Sequence, residues 1–261
     1  MMSARFLTVV LERAFNMRDG FGREIDYMRI SVIDSCNLNC YYCNPCDNNE
    51  HCHALNILSV KEVLCIVRAA TRLGIKHFRL TGGEPLLHPQ LDEMVLQIKK
   101  IPGVSSVSLT TNAVLLAQHA KWLKEAGIDS INVSLDTIDA SEYERITKKP
   151  LLEEVKHGIN AAIECGIRVK INVVLTPQTD VVALTRYVAK KGTDIRFIEM
   201  MPVGEGHTNG VEPYKKVIGT LSKLYGEPCR INTEKTKEIN SGNDKRKIPD
   251  NGPAEIGRAH V

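Results

Sequence analysis

This 261-residue chain has no excess of charge of either sign: 34 Lys and Arg stand against 31 Asp and Glu, a net +3. That excludes a strongly basic nucleic-acid binder and an acidic tail as the main theme. It also lacks a long apolar run. The stretch Phe6–Leu11 ends at Glu12-Arg13 and is too short for the apolar core of a signal peptide, and no later stretch approaches the ~18 apolar residues of a membrane span. The expectation is a cytoplasmic protein with no membrane partner and no nucleic-acid partner. No GxxxxGK[ST] phosphate loop occurs, so a nucleotide would have to bind by another route. With 43% apolar and 25% charged residues, the composition is that of an ordinary globular chain.

Cysteine is not scarce. Five of the eight cysteines fall between Cys36 and Cys52, whereas Cys65, Cys165 and Cys229 are scattered. A disulfide framework needs an oxidising compartment, which the missing leader argues against, so the cluster points to metal or redox chemistry.

One pattern recurs along the chain: an amphipathic helix, a glycine, then a short strand. Ser59 and Glu62 form a capping box ahead of Val60, Val63, Leu64 and Val67, and Gly74 suits the helix end. Strands are expected at Met28–Ile33, His77–Thr81, Ser106–Thr110, Ser130–Ser134, Arg168–Leu175 and Asp194–Glu199. Six strands alternating with helices predict a parallel α/β fold. From about Pro213 the pattern fades, and 232–250 reads as a solvated polar segment.

Alternation within the strands sorts their residues into two faces. Arg29 and Ser31, then His77, Arg79 and Thr81, then Ser106, Ser108 and Thr110 fall on the polar face. So do Asn132, Ser134 and Asp136, then Lys170 and Asn172, then Asp194 and Arg196. Strands covered by helices on both sides should read as nearly continuous apolar runs, so one polar face fits a partly open barrel whose lumen holds a polar ligand. Arg29, Arg79, Lys170 and Arg196 make that ligand anionic; the alternative is that these side chains snorkel to water at strand ends.

The central motif is Cys36-Asn-Leu-Asn-Cys40-Tyr-Tyr-Cys43, a C-x3-C-x2-C triplet after the first strand. Three cysteines can bind three irons of a [4Fe–4S] cluster and leave the fourth open to a ligand. The alternative is a zinc site completed by Cys46, His51, Cys52 or His53.

With an aromatic residue before its last cysteine, the triplet resembles the signature of radical S-adenosylmethionine (SAM) enzymes. Gly82-Gly83-Glu84-Pro85 resembles that family's second signature, where backbone groups bind the amino group of SAM. Longer stretches resemble the GTP 3′,8-cyclase family, which acts first in molybdenum-cofactor biosynthesis: Phe21-Gly22-Arg23, Arg79-Leu80-Thr81, Thr110-Thr111-Asn112, Ser134-Leu135-Asp136 and Glu199-Met200-Met201. The resemblance runs from about Asp19 to Ala254. It implies a partial (βα)6 barrel over 1–205, with Cys36, Cys40 and Cys43 on a [4Fe–4S] cluster. Tyr42, Gly83, Ser134 and Met201 would contact SAM, and Arg29, Arg79, Thr110 and Lys170 would contact GTP. It also implies a one-electron reductant and the next pathway enzyme as partners. Ser35 departs from the family's usual arginine.

The family carries a second [4Fe–4S] cluster in a C-terminal domain. Its cysteine pattern is not found in 206–254, so that domain is expected to be truncated, and Glu255–Val261 is expected to be a non-native tail. Such a chain should cleave SAM without cyclising GTP. Two other readings stay open: a radical SAM enzyme acting on a peptide or another substrate, and a non-catalytic metal-binding domain.

Overall fold

A computed structural model describes residues 17–43, 57–200, 214–226 and 255–256. The chain divides into two compact units. One takes in everything up to Asn39 together with Cys46–Val133 and Leu151–Val169; the other takes Cys40–Pro45, Ser134–Pro150 and the chain from Lys170 onward.

In the first unit, β1 (Tyr27–Ser31), β2 (His77–Thr81), β3 (Ser106–Thr111) and β4 (Ser130–Ser134, its last residue in the other unit) pair in parallel, each with the next in the chain. Helices connect them: α1 (Val60–Arg72), α2 (Leu91–Lys99) and α3 (Leu116–Glu125). The Ser59 capping box forms as expected, with the Ser59 hydroxyl accepting from the Glu62 N–H and the Glu62 carboxylate accepting from the Ser59 N–H. Gly74, Gly103 and Gly127 follow the three helices, each at positive φ. This is where a helix reverses into the next strand at least cost.

The two strand faces separate as alternation requires. Phe78, Leu80, Val107, Leu109, Ile131 and Val133 are fully buried, and so are Val63, Val67, Met94, Val95, Leu116 and Leu123 on the helices. Burying a side chain of this size contributes about 1.5–3 kcal/mol.

In the second unit, β5 (Arg168–Leu175, beginning in the first unit) pairs in parallel with β6 (Asp194–Glu199). Between β4 and β5 the chain forms α4 (Ala140–Thr147) in the second unit and α5 (Leu152–Glu164) in the first. α6 (Val181–Lys191) packs on β6 and on α7 (Tyr214–Tyr225). α7 falls where the sequence pattern was expected to fade. Two residues of the expected tail, Glu255–Ile256, form β7 and pair with Arg196 and Phe197 of β6.

β1 ends two residues earlier than the periodicity predicts. Beyond Ser31 the carbonyls are claimed elsewhere: Val32 O accepts from Leu58 N–H and Ile33 O from Gly83 N–H. Ile33 makes an isolated antiparallel bridge to Ile57 instead. The early exit from β1 puts the backbone of Ile33–Ser35, and so the approach to Cys36, beside the loop that follows β2.

Candidate active site

In the first unit the site begins with close backbone packing. Gly83 N–H donates to Ile33 O at 2.7 Å, and Glu84 N–H donates to Ser35 O at 2.7 Å. A Cβ placed on Gly83 would lie 2.2 Å from Ser35 O and 2.4 Å from Asp34 O. The Gly82-Gly83 turn therefore clamps the stem of the cysteine loop, and only glycine leaves room for it.

Glu84 faces inward and is buried. Its carboxylate accepts from Leu86 N–H at 3.0 Å, Thr111 Oγ1 at 2.6 Å and Asn112 N–H at 2.7 Å. Burial pushes this carboxyl up, and the three donors oppose that shift. The end of β3 is thus tied to the loop after β2. From that anchored position, Asn112 reaches the cysteine loop: its Nδ2 lies 3.8 Å from Cys36 Sγ and 2.7 Å from Asn37 Oδ1. Leu38 N–H also points at Cys36 Sγ, at 3.5 Å.

None of the three cysteines of the triplet is in a disulfide; Cys36 and Cys43 are exposed and Cys40 is part-buried. Cys43 N–H donates to Cys40 O at 3.0 Å, closing a turn. Among the described residues, no three His, Cys, Asp or Glu side chains lie close enough to enclose a metal ion. Cys46, His51, Cys52, His53 and Met201 lie outside the described residues.

In the second unit, Tyr42 turns inward and its hydroxyl donates to Asp136 Oδ2 at 2.5 Å. Asp136 Oδ1 accepts from Val174 N–H of β5 at 2.7 Å. One buried carboxylate therefore joins the Tyr41–Cys43 turn to β5. Tyr41 is held from the other side: its N–H donates to Ile146 O, and the Arg145 guanidinium sits 5.4 Å from its ring centroid. Burial, helped by the Asp136 charge, raises the Tyr42 hydroxyl above its ordinary range, so it stays a donor.

Burial also pushes Asp136 up to about 6 from an ordinary 3.8, against the two hydrogen bonds that favour its charged form. Between about pH 4 and 6 the folded protein keeps a proton on Asp136 that the unfolded chain has released. Its contribution is therefore full below that window and is lost as pH rises through it, a cost of roughly 3 kcal/mol. Asp136→Asn should remove this slope from the stability profile without loss at pH 7. The amide oxygen can still accept from Val174, and its NH2 can donate to the Tyr42 oxygen. Urea unfolding at several pH values checks this; an unchanged slope would contradict it.

The polar strand faces are where alternation put them. In the first unit, Arg29 lies in register with Arg79, Arg79 with Ser108, and Ser108 with Ser130. Arg79 Nε donates to Ser108 Oγ at 3.0 Å and its guanidinium sits 5.3 Å from the Tyr27 ring centroid, while Arg29 Nε reaches Tyr27 Oη at 3.3 Å. Thr110 is in register with Asn132. In the second unit, Lys170 is in register with Asp194 and Asn172 with Arg196. Lys170 Nζ lies 3.7 Å from Asp194 Oδ2. The sequence reading counted Lys170 as a cation for a ligand and did not see this partner. Ser134 is exposed at the end of β4.

A family model described as the radical SAM superfamily matches residues 30–184. The chain belongs to the radical SAM superfamily. The match covers both radical SAM signatures, Cys36–Cys43 and Gly82–Pro85, and Arg29 and Met201 fall outside it. Among solved structures, the chain is similar to SuiB of Streptococcus suis bound to precursor peptide SuiA, with a TM-score of 0.65 at 17% identity, over 90% of this chain and 49% of that one. Methylornithine synthase gives 0.61 at 16% identity, over 77% and 62%. At that identity the likeness fixes the fold alone: a parallel α/β arrangement of six strands and intervening helices.

Sequence relatives are nearer. A GTP 3′,8-cyclase of Clostridium perfringens is 40% identical over 193 residues, covering 73% of this chain and 60% of that protein. One of Pelotomaculum thermopropionicum is 43% identical over 217 residues, covering 80% and 67%. The chain therefore spans about three fifths to two thirds of the length of these relatives.

Sequence reasoning found the radical SAM triplet, the glycine turn and the cations. It missed three connections: Asn112 to Cys36, Asp136 to Tyr42 and Lys170 to Asp194. Asn112 and Asp136 both sat in stretches singled out for resemblance, but neither side chain had been given a partner.

Proposed function

We propose that this chain is the SAM-cleaving part of a GTP 3′,8-cyclase, the enzyme whose whole form converts GTP to its 3′,8-cyclo-7,8-dihydro derivative at the start of molybdenum-cofactor biosynthesis. The observation that carries this reading is 40–43% identity to proteins of that name over 73–80% of the chain. The alternative of a peptide-modifying enzyme has only fold likeness behind it, at 17% identity.

Three cysteines within eight residues suit a [4Fe–4S] cluster with one open iron, since none is in a disulfide and two are exposed. Cys36, Cys40 and Cys43 would hold it. When bound with SAM, the cluster supplies the one-electron cleavage that generates a radical able to take the ribose 3′ hydrogen of GTP.

The rest of the work falls to this chain's residues. Gly83 would offer backbone to the amino group of SAM from a turn fixed against the cysteine stem. Ser134 presents a hydroxyl, and Tyr42, locked by Asp136, sets the position of the Cys40–Cys43 turn. Met201 completes the SAM contacts. Arg29, Arg79 and Lys170 supply positive charge for the triphosphate, and Thr110 supplies a hydroxyl. Lys170 must give up or share Asp194 to do so. A one-electron reductant and the enzyme that takes the cyclised product are the proposed partners.

Charge-assisted hydrogen bonds contribute roughly 1.5–3 kcal/mol each. In the full-length protein, Arg29→Ala, Arg79→Ala or Lys170→Ala should therefore weaken GTP binding by about ten- to a hundredfold. Lys170→Ala should fall at the low end of that range, because its ion pair with Asp194 offsets part of the gain. SAM affinity should change little. Paired titrations of GTP and SAM on each variant test the reading, and equal loss of both ligands would contradict it.

A further inference from the structure

We propose that Asn112 is a positioning residue for Cys36, and that its amide hydrogen bond to the Cys36 sulfur makes the bound cluster easier to reduce. This rests on the reading of Cys36 as a cluster ligand.

The orientation of the Asn112 amide is fixed by its partners. Its Oδ1 accepts from Val114 N–H at 3.1 Å, so the NH2 end must face the cysteine loop. There one direction is taken by Asn37 Oδ1 at 2.7 Å and the other by Cys36 Sγ at 3.8 Å. Both donors and the acceptor of the side chain are engaged, and a flipped amide would set oxygen against oxygen at Asn37. The backbone is held as well. Asn112 N–H donates to the buried Glu84 carboxylate, which also holds Thr111 Oγ1. Thr111 Oγ1 in turn accepts from Ala113 N–H at 2.9 Å. Asn112 thus stands on a rigid support built from the loop after β2 and aims a donor at one sulfur of the triplet.

A hydrogen bond to a thiolate stabilises negative charge on the sulfur. Reduction adds negative charge to a cluster, so such a bond stabilises the reduced form more than the oxidised one and raises the potential. A purely structural asparagine would hold the loop without this electronic effect.

The test is a redox titration of the reconstituted chain followed by electron paramagnetic resonance, with iron content measured in parallel. Asn112→Ala should keep the fold. At the wild-type midpoint its ratio of reduced to oxidised cluster should fall about three- to tenfold, tenfold being 59 mV for a one-electron couple. Asn112→Asp keeps the acceptor for Val114 but sets a carboxylate oxygen towards Cys36 Sγ and Asn37 Oδ1. Its ratio should fall further than that of the Ala variant, or its iron content should drop. Folded variants with wild-type iron content and an unchanged midpoint would overturn the proposal. If the Asp variant fails to fold, the Ala variant decides alone. A wild-type chain that takes up no cluster defeats the reading on which this rests, whereas a wild-type cluster with insensitive variants defeats the proposal alone.

Discussion

Gly83→Ala should lose about 3 kcal/mol or more of folding stability. The added methyl would sit 2.2 Å from Ser35 O and 2.4 Å from Asp34 O. Both neighbours are backbone, so no side-chain rotation can relieve the overlap. Nor can the stem simply retreat, because Gly83 N–H and Glu84 N–H are bonded to Ile33 O and Ser35 O. Moving Asp34 and Ser35 moves Cys36, which follows directly in the chain. Two losses are therefore expected together: a lower urea midpoint, and poor iron uptake even in the fraction that stays folded. A variant within about 0.5 kcal/mol of wild type would show that the glycine turn does not clamp the cysteine stem.

Cys36→Ala, Cys40→Ala and Cys43→Ala should each abolish the cluster and, with it, cleavage of SAM to 5′-deoxyadenosine. A cluster with three protein ligands has none to spare, since its fourth iron would be left open to SAM. Cys65→Ala and Cys165→Ala are the controls. Both are free thiols among the described residues, both lie away from the triplet in sequence, and both should keep iron content and activity. Retention of cluster and cleavage by all three triplet variants would remove the assignment. Dependence on Cys46 or Cys52 as well would favour a four-ligand site, which is the zinc alternative raised by the spacing.

Much of this was legible in the residues, for physical reasons. β2, β4, β5 and β6 begin and end where the sequence placed them, because each is bounded by turn residues and alternates over most of its length. The Ser59 capping box was readable because its two partners sit three residues apart. The faces were readable because a strand leaves a side chain only two directions.

What stayed hidden depends on which elements meet. The Lys170–Asp194 pair needs the β5–β6 register. Tyr42 and Asp136 are 94 residues apart, and Asn112 and Cys36 are 76 apart. β1 lost its last two residues because Leu58 and Gly83 took the carbonyls, a competition that local pattern does not contain. α7 was not expected, although Val217, Ile218, Leu221 and Leu224 recur at helical spacing among its lysines.

Cys36, Cys40 and Cys43 are proposed to hold a cluster with one iron left open to SAM. The most direct measurement is electron paramagnetic resonance of the anaerobically reconstituted, reduced chain, with and without SAM. About four irons per chain, a reduced-cluster signal, and a change in that signal when SAM is added are expected. A chain that binds zinc in place of iron, or holds a cluster whose signal SAM leaves unchanged, would contradict this assignment.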